Sequence, residues 1–106
     1  MKKMSKHIVL SFAVGSLLFS QAYAVPQGGK FTHGTSGTIH TSGNTVMITG
    51  KGQNHVIQWG GGFNMGQNES VNFNGKNQNY LNIAYQKDAS KIDGALNGGN
   101  SNIFLV

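Results

Sequence analysis

The chain has 106 residues, 16 glycines, one proline and no cysteine, and its formal charge of +5 comes entirely from lysines set against three acids. Only 10% of residues are charged and 38% are hydrophobic, so a conventional catalytic domain is a poor fit. A coiled coil, a disulfide scaffold and a multi-span membrane protein are excluded, and the length accommodates one domain or part of one.

The chain opens on a targeting pattern. Lys2, Lys3 and Lys6 form a positive stretch, Ile8 to Phe19 an apolar run, and Ala22-Tyr23-Ala24 an A-x-A cleavage signature. This is the layout of a secretory signal peptide over residues 1–24, cut between Ala24 and Val25. The apolar run is short for a bilayer span, so no stable membrane insertion is expected. Residues 25–106 then keep Lys30, Lys51, Lys76, Lys87 and Lys91 against Glu69, Asp88 and Asp93, a net charge of +2. These lysines are scattered, and nucleic-acid binding loses its electrostatic support. Cysteine is absent although the chain enters an oxidising compartment, where small domains often rely on disulfides. An unlinked chain can thread a narrow pore.

Residues 25–106 hold 15 glycines and 12 asparagines, which punctuate the chain too often for any long helical stripe. Phe31 and Ile39 lie in a Gly/Thr/Ser-rich stretch read as a covering flap. The predicted strands are Thr45–Thr49, His55–Trp59, Phe63–Met65, Ser70–Phe73, Asn79–Tyr85 and Asn102–Val106, with a weaker one over Lys91–Ala95. Period-two alternation is clearest over Ser70–Phe73 and again at Leu81, Ile83 and Tyr85. Asn74-Gly75 and Asn97-Gly98 mark tight turns. Strand centres at roughly ten-residue spacing predict an all-β sandwich, barrel or solenoid. Asparagines and one-sided turns favour the solenoid, and composition alone does not separate the three.

A family resemblance enters at Trp59. The stretch WGGGFNMGQNESVNF, Trp59 to Phe73, resembles the central signature of the two-partner-secretion, or haemagglutination-activity, domain of filamentous-haemagglutinin-like exoproteins. The family pattern is a tryptophan, a short gap, F-N-I-G, then N-E-S/T-V-x-F. Phe63, Asn64, Met65 and Gly66 match the first block; Asn68, Glu69, Ser70, Val71 and Phe73 match the second. Further on, Ile92, Gly94, Leu96 and the run Phe104-Leu105-Val106 resemble the next family block. Three glycines, Gly60 to Gly62, stand where the family has two residues, which implies a local bulge. The sequence reaches Val106 before the family's N-P-N-G motif, so the expectation is the front part of a longer exoprotein.

The resemblance implies a right-handed parallel β-helix, recognition by an outer-membrane transporter of the Omp85 class, and export through the periplasm to the surface of a Gram-negative-type bacterium. Host-cell or surface receptors would be met by downstream regions. On the residues' own chemistry, Trp59, Phe63, Val71 and Phe73 are read as core, each burial contributing about 1.5–3 kcal/mol. Asn64 and Asn68 are read as bonding backbone groups at corners, with transporter recognition as the sharper role. Gly66 is read as supplying a positive φ, and Glu69 as pairing with a lysine or capping a turn. Asn68-Glu69-Ser70 is also an N-x-S sequon, read as a chance occurrence.

Catalysis finds little support. His33, His40 and His55 are dispersed, without cysteines or clustered carboxylates to complete a metal set. The serines lack a base with an orienting acid. No enzyme activity, cofactor or metal is expected. The runner-up to a secretion-targeting domain is a curli-like amyloid or matrix subunit, favoured by the Gly/Asn/Gln content because amide ladders stabilise cross-β stacks. No repeat of fixed period with matching Asn or Gln positions is apparent in the sequence, which counts against it.

Overall fold

The computed structural model describes residues 25–106; the signal-peptide reading of residues 1–24 lies outside the described residues. Eight strands form in chain order: β1 Gly29–Thr32, β2 Ser36–Ser42, β3 Thr45–Lys51, β4 Asn54–Trp59, β5 Ser70–Asn74, β6 Asn79–Ala84, β7 Ala95–Asn97 and β8 Asn102–Leu105. The described residues contain no helix. The architecture is all-β with two mixed four-stranded sheets, ordered β1-β4-β6-β8 and β2-β3-β5-β7.

From β3 onward the chain alternates between the two sheets. It crosses from β3 to β4, from β5 to β6 and from β7 to β8 through short glycine- and asparagine-rich turns. Each return brings the next strand alongside its predecessor in parallel. Thr45 pairs with Ser70 and Asn54 with Asn79, both offset by 25 residues. Ser70 then pairs with Ala95 at the same offset, and Asn79 with Asn102 at 23. The glycine after Asn74 explains one sharp crossing, because Gly75 takes φ 107°, a region L side chains rarely enter. After Asn97 the positive φ falls instead on Gly99.

One end of each sheet is closed differently. The stretch expected as a flap forms β1 and β2, which pair antiparallel with β4 and β3, so the flap is part of the sheets. Three other local expectations shift. Phe63–Met65 is not a strand and makes a single parallel bridge, Met65 to Ile92. The weak strand at Lys91–Ala95 reduces to that bridge and the start of β7. Gly60 to Gly62 form a turn rather than a bulge, closed by the Gly62 N–H donating to the Trp59 carbonyl at 3.1 Å.

The core lies between the sheets. Val46, Ile48, Val71 and Phe73 face inward from one, Ile57, Trp59 and Tyr80 from the other, and Val25, Phe63 and Met65 join them from the connecting segments. Leu81 and Ile83 mark the outer face of β6, which ends at Ala84 and leaves Tyr85 just beyond it, while Tyr80 and Asn82 are buried. The physical reason is the indole of Trp59. Its buried Nε1–H requires an acceptor and donates to Asn82 Oδ1 at 2.9 Å. Asn82 Nδ2 then donates to the Phe104 carbonyl at 3.2 Å, tying three successive strands of one sheet together.

His55 is buried as well. Its ring stacks on Tyr80 with centroids 4.4 Å apart and meets Phe31 edge-on at 5.9 Å. Both ring nitrogens lie against backbone carbonyls, Nδ1 at 3.1 Å from Asn79 and Nε2 at 2.9 Å from Lys51. The Tyr80 hydroxyl accepts from the Gly50 N–H at 2.9 Å. Burial raises the Tyr80 pKa above the ordinary tyrosine value, and the Gly50 hydrogen bond opposes that shift.

Candidate functional site

The residues of the family-like block converge on one loop and the strand after it. β4 ends at Trp59, the glycine turn follows, and β5 begins at Ser70. Trp59 and Phe63 pack edge-to-face with centroids 5.4 Å apart, which pins the loop's first half to the core. Val71 and Phe73 anchor the second half from β5. All four residues are therefore packed inside, with no aromatic surface offered outward at this block.

Between these anchors the loop makes a tight turn. Glu69 is buried, and its carboxylate accepts from the Gly66 N–H at 2.6 Å, while the Glu69 N–H donates to the Gly66 carbonyl at 3.3 Å. The turn-capping contact expected of Glu69 is thus present. Gly66 does not carry the positive φ expected of it. That conformation belongs to Asn68, at φ 66°, a value asparagine tolerates better than most residues. Asn68 is exposed; its backbone carbonyl accepts from Asn44 Nδ2 at 2.6 Å, and its side chain makes no hydrogen bond among the described residues.

Asn64 behaves differently. Its Oδ1 accepts from the Lys91 N–H at 3.0 Å and from Gln86 Nε2 at 3.3 Å. Gln86 Oε1 in turn accepts the Phe63 N–H at 2.7 Å and Asn64 Nδ2 at 3.4 Å. The two amides clasp the loop onto the following return, lining a surface depression with Lys87, Asp88, Ala89 and Lys91. Backbone bonds extend the clasp: Met65 N–H to the Lys91 carbonyl at 2.8 Å and Asp93 N–H to the Met65 carbonyl at 3.0 Å. Gly94 completes it, because a Cβ there would come within 2.7 Å of the Gly66 carbonyl.

Sequence reasoning missed Gln86 and Asn44. Both lie in connecting segments, Gln86 22 residues after Asn64 and Asn44 24 residues before Asn68, and are brought to their partners by the pairing register of the adjoining strands. That register also builds ladders the sequence reading did not find. Asn102 Nδ2 donates to Asn79 Oδ1 at 2.9 Å, and Asn79 Nδ2 to Asn54 Oδ1 at 2.8 Å. Asn97 Nδ2 donates to Asn72 Oδ1 on the other sheet. Asparagines thus recur along these ladders, at spacings of 25 and 23 residues rather than at one fixed period.

The histidines stay apart. His33 and His40 are exposed, His55 is committed to two carbonyls, and the described residues hold no group of three His, Cys, Asp or Glu that could bind a metal ion. No helix among the described residues is long and apolar enough to cross a membrane.

The crystal structure of the HMW1 secretion domain from Haemophilus influenzae matches 74% of this chain with 29% sequence identity and a TM-score of 0.61. The match spans 21% of that domain's chain. No protein-family model and no curated protein matches. The chain is an all-β protein of secretion-domain likeness, similar over most of its described length to the HMW1 secretion domain.

Proposed function

We propose that residues 25–106 are the secretion-targeting and fold-nucleating front of a two-partner-secretion exoprotein, a filamentous-haemagglutinin-like adhesin. The observation that carries this reading is the likeness to the HMW1 secretion domain. The strands that recur in parallel at an offset of about 25 residues support a right-handed parallel β-helix. In this reading residues 1–24 direct passage across the inner membrane and are removed before Val25. The mature chain is captured in an extended state by an Omp85-class transporter, threads its pore and folds outside. Folding starts at the two-sheet unit, with further coils and the N-P-N-G motif downstream. The domain itself is non-enzymatic and works without cofactor or metal.

The Asn64 and Gln86 clasp and the Gly66–Glu69 turn hold the block that most resembles the family. The test is export of an exoprotein carrying this domain, with its transporter present, comparing secreted with periplasmic protein. Replacing Asn64 and Asn68 together by Ala is expected to lower the secreted share; unchanged export would remove both residues from any essential role. Loss of the transporter should abolish export altogether, and export without it would sink the whole reading.

The asparagine ladders lend support to the curli-like alternative. Against it stand β1 and β2, which close one end of each sheet with antiparallel strands and so offer no repeat of the parallel register there.

A further inference from the structure

Val25, the first residue after the expected signal cleavage, is a core residue. It is only 2% exposed and belongs to the same buried cluster as Trp59 and Phe63. Pro26 beside it is also buried. The next two residues are stitched to the glycine turn: the Gln27 N–H donates to the Gly62 carbonyl at 3.2 Å, the Gly61 N–H to the Gln27 carbonyl at 3.1 Å, and the Gly60 N–H to the Gly28 carbonyl at 3.1 Å. The Gln27 side chain turns back and donates to the Val25 carbonyl at 3.0 Å. The fit is close, because a Cβ on Gly61 would stand 2.7 Å from Gln27 Cβ. The three-glycine run, one residue longer than the family spacing, thus serves as a seat for residues 25–28.

We propose that docking of residues 25–28 shields the Ala24–Val25 bond, so that signal removal must precede closure of the domain, and a precursor that folds first is a poor substrate for the processing peptidase. The inference rests on the reading of residues 1–24 as a cleaved signal. The reaction is a peptide hydrolysis. One water adds across the bond, leaving a carboxylate on Ala24 and an α-amino group on Val25. A peptidase needs several residues on both sides of the bond extended and accessible. Here Val25 and Pro26 are buried, and the Gln27 N–H, the Gln27 carbonyl and the Gly28 carbonyl that follow are held by the glycine turn. Cleavage of such a site tracks the population of the opened form. The arrangement also makes the exact cut matter, since a cut two residues later would remove a buried residue pair from the core.

The experiment uses the refolded full-length precursor, its Gly61→Val variant and a peptide of residues 18–30. Each is incubated with purified signal peptidase in detergent, with Trp59 fluorescence and circular dichroism reporting folding and mass spectrometry reporting the new terminus. The expected result is that peptide and variant are cut before Val25 at similar rates and the folded precursor at least tenfold more slowly. A precursor that gains strand signal only after cleavage would overturn the shielding, because the closed precursor it requires does not form. A folded precursor cut as fast as the peptide, or a Gly61→Val precursor as resistant as the unaltered one, would overturn the shielding. A peptide not cut at Ala24–Val25 would overturn the signal reading itself and the proposal with it, an outcome distinct from failure of shielding.

Discussion

Asn82 shows how one polar side chain decides which face of a strand is inside. Leu81 and Ile83 flank it, and an apolar count alone would bury them. The Trp59 indole N–H reverses that preference because a buried donor without an acceptor costs about 1–3 kcal/mol. Asn82→Leu is therefore expected to destabilise the domain by about that amount, and by clearly less in a Trp59→Phe background, where no indole N–H is stranded. Urea denaturation of the four proteins measures the coupling; equal costs in both backgrounds would exclude it. Tyr80 makes a second residue-level case. Its pKa is raised by burial, so the unfolded chain ionises first as pH climbs. Stability is then unaffected below the ordinary tyrosine value, about 10, and lost as pH rises beyond it through the folded-state value. Tyr80→Phe should be less stable at neutral pH, having no hydroxyl to accept the Gly50 N–H, yet show a shallower alkaline loss than the unaltered chain.

At the scale of elements, the central strands were legible because β-branched and aromatic residues are concentrated in β3, β4 and β5, alternating with polar ones over β5. The flanking elements were harder. β1 and β2 are rich in Gly, Ser and Thr and become strands because β4 and β3 offer them edges, a tertiary cause with little local signal. Phe63–Met65 has a strand's composition, yet its backbone partners are spread over the following return, with Met65 bridging Ile92. The 25-residue register escaped notice because it shortens to 23 at the last pairing and few side chains repeat along it. The core aromatics of the candidate site could be read from the sequence, whereas Gln86 acquires its role only through the fold. Close backbone approach outweighs exposed ladders in this architecture. Gly94→Ala forces a Cβ against the Gly66 and Glu69 carbonyls, and such overpacking typically costs about 1–3 kcal/mol. Asn79→Ala removes two exposed amide bonds, whose net loss is expected to stay below about 1.5 kcal/mol. Denaturation midpoints should rank the two variants in that order, and a larger loss for Asn79→Ala would show that the ladder dominates.

For the molecule as a whole, the outward face of the β1-β4-β6-β8 sheet sets behaviour in solution. Val56, Leu81 and Phe104 lie in one register row, and Ile83 in β6 and Tyr85 just after it add apolar surface. Phe104 is 54% exposed and Val106 71%. Beside them the far side of β8 pairs with no strand among the described residues. An unpaired edge next to apolar side chains is a template for association. Residues 25–106 are therefore expected to self-associate as concentration rises, with sedimentation velocity showing a growing share of larger species. Replacing Phe104 and Val106 by Lys places charge on this face without touching the core between the sheets. The double variant should sediment as a monomer at concentrations where the unaltered chain associates, while the circular dichroism of the strands is preserved. Association that persists unchanged in the variant would move its cause away from this face, and a monomeric unaltered chain would show that the face is tolerated in water as it stands.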